Sequence, residues 1–336
     1  MVTTTDLITR ARAGDGDAFR TLTEPHRREL LVHCYRMLGS FQDAEDALQD
    51  TLLAAWQGLA TFEGRASVRT WLYRIATNRC LDALRAAKRR PAKEWDISEI
   101  ELPEPTRLGE IVWLEPFPDA HLEGAANAPL GPEARYEQTE AISLAYVTAL
   151  QVLPARQRAV LILREVLGYH ANEVADMLDA TVESVRSALK RARASLRHMQ
   201  PRGEHEPPPA PDSPAEQALV AKFVHAYESG DVDAVVALLT ADVSVSMPPI
   251  PLEYHGRDVV SRFYASIFNW GPRYDLVPTR ANGQLAFGAY LRAPSGGIRH
   301  GAGLLVLTVA GDRICALTRF DNDVLPSFGL PRSLPT

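Results

Sequence analysis

Apolar residues recur every three or four positions over most of the first 200 residues, the period of helices docked by one face. From Ala44 to Trp56 the apolar set is Ala44, Ala47, Leu48, Leu52, Ala55 and Trp56, and the opposite face carries Asp46, Gln49, Asp50 and Gln57. That spacing predicts a helix with an acidic outer face. Gly58 to Ser67 breaks the pattern. A second helix follows, with Val68, Trp71, Leu72, Ile75 and Leu84 inward; it closes on Arg85, Lys88, Arg89 and Arg90 before Pro91. Upstream, residues 5 to 40 also read as helical. Asp6 or Thr5 is the expected first cap, Asp17 caps the next helix, and Gly39 stops the stretch from His26 to Leu38.

Downstream, Tyr136 to Val152 is predicted as one helix, and Pro154 opens another that ends at Gly168. A short helix over Ala171–Leu178, a corner at Asp179-Ala180-Thr181 and a longer helix burying Val182, Val185, Leu189, Ala192 and Leu196 come next. The other face of the longer helix presents Ser184, Arg186, Ser187, Lys190, Arg191, Arg193 and Arg197, with Glu183 its only acid. Short helix, tight corner and basic helix make a helix-turn-helix pattern. A face kept only for solubility mixes signs; this one barely does, so DNA is the expected partner. Residues near the start of the helix suit base edges, and later arginines suit phosphates. His170, where the first of the two helices begins, is a poor capping residue, with Glu173 three positions on.

The period changes after residue 213. Ser213-Pro214-Ala215-Glu216 is a capping box that opens a helix through Leu219, Phe223 and Tyr227, and Asp231 caps a second through Val235. VSVSM alternates as a strand, and Asp258 begins a third helix. The segments LAFGAYLRA, IRHGAGLLVLTV and RICALTRF, separated by turns, read as strands. Helices followed by a curled antiparallel sheet predict a cone-shaped α+β domain.

Composition divides the chain of 336 residues further. Residues 91–135 are rich in proline and acid, and residues 201–212 in proline, so both read as linkers. The resulting organisation is 1–90 and 136–200 as helical domains and 213–336 as the α+β domain. Within the first linker Ile111 to Asp119 carries Trp113 and Phe117 and is expected to dock, in the plainest case on the chain's own domains. The net charge of -6 argues against a general DNA-coating protein, but a site-specific binder needs only local basic patches. Cys34, Cys80 and Cys315 are isolated in sequence, which gives neither a disulfide framework nor paired zinc-ligand spacing. No apolar run reaches membrane-spanning length, and no cofactor is implied.

Three stretches carry a family resemblance. DAEDALQDTLLAAW with FEGRASVRTWLYRIATNRCLDALR resembles the promoter-melting domain of extracytoplasmic-function sigma factors of bacterial RNA polymerase, and LPARQRAVLILREVLGYHANEVADML with SVRSALKRARASL resembles the upstream-element-binding domain of the same class. FVHAYESGDVDAVVALLTADVSVSMPP with YHGRDVVSRFY resembles the SnoaL-like branch of the nuclear-transport-factor-two superfamily. The resemblance implies a cytoplasmic sigma factor that binds core RNA polymerase through Asp46, Gln49 and Asp50. It implies contact with the minus-ten element through Phe62, Asn78, Asp82 and Arg85. The minus-thirty-five element falls to Arg164, Ser184, Arg186, Ser187, Lys190, Arg191 and Arg193. From the residues alone, Phe62, Tyr73 and Asn78 suit stacking on and hydrogen bonding to unpaired bases. In sigma factors the linker threads toward the polymerase cleft, so the acidic stretch is expected in a basic channel.

The C-terminal domain is expected to regulate in cis by contact with the sigma domains, with a small ligand of its pocket as a further candidate partner. An alternative is a SnoaL-like isomerase or cyclase fused to a DNA-binding module. Its acid–base candidates are Asp242, His255, Asp275, His300, Asp321 and Asp323, from which spacing assembles no pair; Met247, Tyr254, Tyr264, Trp270 and Phe320 are candidate pocket liners. A plain helix-turn-helix regulator is a second alternative, disfavoured by the acidic face at Asp46, Gln49 and Asp50, which DNA repels.

Overall fold

The computed structural model describes residues 3–86, 101–122, 141–199, 206–269, 271, 273–292 and 297–335. They fall into two compact units. The first takes the described parts of Met1–Arg89, His121–Ile142 and Tyr146–Gln200, and the second those of Arg90–Ala120, Ser143–Ala145 and Pro201–Thr336. The basic tail at Lys88, Arg89 and Arg90, the start of the helix expected from Tyr136, and Trp270 lie outside the described residues.

The first unit is helical. Its elements are α1 (Thr4–Arg12), α2 (Gly16–Thr23), α3 (Arg27–Leu38), α4 (Phe41–Gly58), α5 (Val68–Ala86), α6 (Leu144–Val152), α7 (Ala155–Leu161, continued by a π turn over Ile162–Val166), α8 (Ala171–Met177) and α9 (Val182–Met199). The caps sit two or more residues upstream of those expected: Thr3 accepts from the Asp6 amide, and Asp15 from those of Asp17 and Ala18. Each exposes its oxygen to the first free amides, which residues inside the turn cannot reach. Ser40 caps α4, and Gly39 ends α3 at φ 76°, against the side chain of Gln151, where a Cβ would lie 2.7 Å from that side chain. On α5 the buried face is Leu72, Tyr73, Ala76, Thr77 and Cys80, rotated from the expected one, and Val68, Trp71, Ile75 and Leu84 are half-buried. Cys34 and Cys80 are buried free thiols.

The core of this unit also contains polar joints. His33 is fully buried, with Nε2 2.9 Å from Thr77 Oγ1 and Nδ1 unpartnered. Arg158 of α7 is 4% exposed and reaches the carboxyl end of α3. It donates to the carbonyl of Met37, to Gln151 Oε1 (2.5 Å), and to the carbonyls of Gln151 (2.9 Å) and Leu153 (3.1 Å). A cation at a helix C-terminus complements the last free carbonyls.

The second unit has α10 (Pro214–Ser229), α11 (Val232–Ala237) and α12 (Arg257–Asn269) over one sheet. Its strands are β1 (Arg107–Leu108), β2 (Leu239–Met247), β3 (Ile250–His255), β4 (Arg273–Ala281), β5 (Gln284–Arg292), β6 (Arg299–Ala310), β7 (Arg313–Phe320) and β8 (Ser333–Leu334), in the order β1-β3-β2-β7-β6-β5-β4, with β8 on β6. The sheet is not purely antiparallel, because β2 and β7 pair in parallel (Leu239 with Ile314, Val245 with Leu317). Four of these eight strands, β1, β3, β4 and β8, were not expected from the sequence. Prolines 248, 249 and 251 mask β3, and Pro278 masks β4, which is an edge strand where a missing amide is tolerated. Asn282-Gly283, both at positive φ, form the two-residue turn between β4 and β5.

Residues 101–120 of the first linker belong to this second unit. β1 pairs with β3, the Thr106 amide donates to Glu253 O (2.8 Å), and that of Gly109 to Pro251 O (2.7 Å). Tyr254 donates its hydroxyl to Pro103 O (3.2 Å). Farther on, the Phe117 amide donates to Asn282 Oδ1 and the Asn282 amide to Phe117 O, both at 2.8 Å, while the Gly283 amide reaches Asp119 Oδ1 at 2.8 Å. Phe117 is fully buried and Leu114 nearly so. The segment from Ile111 to Asp119 therefore docks on the chain's own α+β domain in this conformation, and not in a separate channel.

Candidate nucleic-acid interface

On α4 the spacing that buries Ala44, Ala47, Leu48 and Ala55 leaves Asp46, Gln49 and Asp50 exposed together. One turn on, Leu53 is 56% exposed on the same face. The sequence reading passed over it because it broke the polar pattern of the face.

Beside α4, α5 forms one wall of a groove of about 370 Å³ lined by Ala54, Trp71, Arg74, Ile75, Asn78, Arg79 and Asp82. Asn78 and Asp82 are thus brought together, with Arg74 and Arg79 as cations the sequence reading omitted. Asp82 pairs with Arg85 at 2.8 Å, one helical turn apart. Phe62 is not at the surface. It is 7% exposed, its ring 4.7 Å from that of Trp71, so stacking on a base requires it to leave this pocket. Tyr73, which suited base contact by residue type, is fully buried, and its hydroxyl donates to Glu29 (3.3 Å); burial drives its pKa far above the ordinary range.

The helix-turn-helix forms as expected. Asp179 takes the corner at φ 46°, and the Ser184 amide donates to Thr181 Oγ1 (3.1 Å), so Thr181 caps α9. At the entry to α8 the His170 amide donates to Glu173 Oε2 (2.6 Å). Val185, Ala188, Leu189 and Ala192 face inward; Ser184, Arg186, Lys190 and Arg191 are exposed, and Ser187 is half-buried. Two of the expected phosphate or base contacts are engaged elsewhere: Arg193 pairs with Glu165, and Arg164 donates to the Tyr169 carbonyl.

Within the first unit the helix-turn-helix corner lies on α5. Arg74 pairs with Asp179 (3.2 Å), and Asn78 Nδ2 donates to Met177 O (3.4 Å). Arg69 lies over the Tyr73 ring (4.8 Å), donates to the Tyr169 hydroxyl (3.3 Å) and pairs with Glu29 (2.8 Å). Burial opposes ionisation of Glu29, but hydrogen bonds from His26 and Arg69 win and hold its carboxyl below the usual range.

None of the six acid–base candidates of the C-terminal domain lines its cavity. Asp275, whose partial burial is outweighed by hydrogen bonds from Arg292 and Arg299, sits in an ion cluster, and His255 lies beside Glu253. Met247 and Tyr264 do line the cavity; Tyr254 and Phe320 do not. No helix among the described residues is long and apolar enough to cross a membrane.

Comparison with known proteins accounts for each part. Residues 22–90 match Sigma-70 region 2, residues 143–196 Sigma-70 region 4, and residues 220–317 the SnoaL-like domain. The chain is 42% identical over 335 residues to the ECF RNA polymerase sigma factor SigG of Mycobacterium tuberculosis, covering 96% of this chain and 86% of that protein. It is 28% identical to the ECF sigma factor SigW of Bacillus subtilis over 56% of this chain and 92% of that one. In fold it resembles the crystal structure of Mycobacterium tuberculosis SigJ, at a TM-score of 0.57 and 24% identity, over 91% of this chain and 97% of that one. These relatives are sigma factors by name, and sigma factors bind core RNA polymerase and promoter DNA. With both sigma regions present and a relative matched along nearly its whole length, the chain belongs to the extracytoplasmic-function sigma factors of bacterial RNA polymerase, and carries a SnoaL-like extension.

Proposed function

We propose that the exposed face of α4, Asp46, Gln49, Asp50 and Leu53, meets core polymerase in the cytoplasm. The groove beside α5 takes the minus-ten element, with Asn78, Asp82 and Arg85 joined by Arg74 and Arg79. Ser184, Arg186 and Ser187 read the minus-thirty-five element while Lys190, Arg191 and, once released from Glu165, Arg193 hold its phosphates. The C-terminal domain regulates initiation in cis by gripping the linker between the two DNA-binding domains.

The observation that carries the regulatory part is the run of hydrogen bonds from Pro103 to Asp119 onto β3 and the β4–β5 turn. A linker held along that length is not free to take another path, so the hold itself is a point of control. Run-off transcription with core RNA polymerase on the DNA upstream of the protein's own coding sequence tests it. The full chain is compared with Asn282→Gly, which keeps the left-handed turn but removes the acceptor for the Phe117 amide. Altered transcript yield from Asn282→Gly is expected; equal yield at every polymerase concentration counts against regulation through the linker.

A further inference from the structure

The second unit encloses a cavity of about 60 Å³ between its sheet and α10 and α12. Its walls are largely apolar, with Met247, Phe263 and Leu305 among them. The polar side chains that line it are Tyr227, Tyr264, Tyr274 and Arg319, with no carboxylate or histidine.

A buried tyrosine hydroxyl ordinarily finds a partner. Tyr254 and Tyr290 of the same domain do so, on the carbonyls of Pro103 and Pro331. Tyr227 and Tyr264 are 6% and 3% exposed, and their hydroxyls have no hydrogen-bond partner among the described residues. Both residues line the cavity. Burial pushes both well above the ordinary phenol range, and they remain O–H donors at neutral pH. Arg319 adds a cation that donates to Ala302 O (2.5 Å) and stands 3.7 Å from Asp321. The lining thus offers donors and positive charge at one region and hydrocarbon elsewhere, which is the complement of an apolar body with an acceptor-rich, anionic head.

The geometry points to a binding site in this cavity for a small apolar carboxylate, its head among Tyr227, Tyr264, Tyr274 and Arg319 and its body against Met247, Phe263 and Leu305. This deepens the cis-regulatory reading, on which only its consequence rests. Phe263 packs on Tyr254 with ring centroids 4.7 Å apart, and Tyr254 holds the linker at Pro103. A filled cavity braces Phe263 and so strengthens the hold on the linker.

The test is calorimetric titration of the full chain with acetate, propionate and butyrate, small enough for the cavity, each beside its neutral amide. At least one carboxylate is expected to bind, and its amide about tenfold more weakly or worse. Tyr264→Phe, which keeps the ring, weakens that carboxylate about tenfold, the effect of one lost hydrogen bond. Ala289→Leu, which fills the cavity, abolishes binding while the circular dichroism spectrum is kept. No binding by any of the three carboxylates overturns the site, the hydroxyls then being served by water alone. Equal affinity for acid and amide, or undiminished binding by Ala289→Leu, overturns it too. Hydrogen exchange of the Thr106 and Gly109 amides, in the same samples, separates the two readings. Slower exchange with ligand supports both, whereas binding with unchanged exchange upholds the site and removes the link to the linker.

Discussion

His33 and Asn282 illustrate how much rests on single side chains in each unit. Burial, with Arg36 and Arg69 adding to it, pulls the His33 pKa from 6.5 to about 3, so the folded chain holds the ring neutral. The unfolded chain takes up a proton first as pH falls. The stability due to neutral His33 is therefore complete above about pH 6.5 and is lost as pH falls toward about 3. At about 1.36 kcal/mol per unit, about 2 kcal/mol is lost between pH 7 and pH 5. Urea unfolding at those two pH values checks this, and His33→Gln should flatten the difference. Asn282 is legible in the sequence only as half of an Asn-Gly turn. Its second role, an exchange of hydrogen bonds with Phe117, joins positions 165 residues apart. For Asn282→Gly we expect a loss of about 1–2 kcal/mol in the second unit, from an unpaired buried amide, and faster proteolysis between Leu102 and Asp119, read by mass spectrometry of the fragments.

At the scale of elements, helix periodicity located α4, α8 and α9 within a few residues and put the right residues on their exposed faces. It failed on α5, where Tyr73, Thr77 and Cys80 are core and Trp71 and Ile75 line a groove. A helix wedged between α3 on one side and the helix-turn-helix on another has no single apolar stripe, and the hydrogen bonds that let Tyr73 and Thr77 be buried come in part from the distant residues Glu29 and His33. Arg158 has the same character: in sequence it is one more arginine of a basic segment, and in the fold it ties α7 to the end of α3. Arg158→Met keeps the bulk but leaves several buried carbonyls without a donor. A loss of about 2–4 kcal/mol is expected, seen as a lower urea midpoint for the first unit. On α9, Lys190→Ala should weaken binding to all DNA sequences alike and reduce the salt slope by about 1, whereas Arg186→Ala should relax the choice of base at one position. Fluorescence anisotropy with matched and mismatched duplexes over a salt series distinguishes the two.

For the whole molecule, the chain order and the spatial grouping differ. The linker lies between the two DNA-binding domains in sequence, and yet its residues 101–120 form part of the α+β domain, with Phe117 and Leu114 in the interior. Removing residues 203–336 would therefore do more than delete a regulator, because it uncovers these side chains. The shortened chain should show raised anilinonaphthalene sulfonate fluorescence and earlier aggregation than the full chain. Replacing Phe117 and Leu114 by serine in the shortened chain should lower both. Transcription by a truncated chain has to be read beside that control, which makes Asn282→Gly the cleaner probe of the linker.

The sequence by itself determined the helical and α+β parts, the helix-turn-helix, the acidic face of α4 and the family, because these depend on local period, capping chemistry and motif strings. It located β2, β5, β6 and β7, and missed β3 and β4, where proline interrupts the pattern, and the two-residue strands β1 and β8, which are too short to carry a period. Only the tertiary structure decided that β2 and β7 run parallel, that Phe62 and Tyr73 are inside, that Asn78 and Arg74 meet the helix-turn-helix corner, and that the linker is an edge of the C-terminal sheet. Each of these depends on pairs far apart in the chain, joined by single hydrogen bonds or ring contacts. Such pairs leave no period in the sequence from which they could be read.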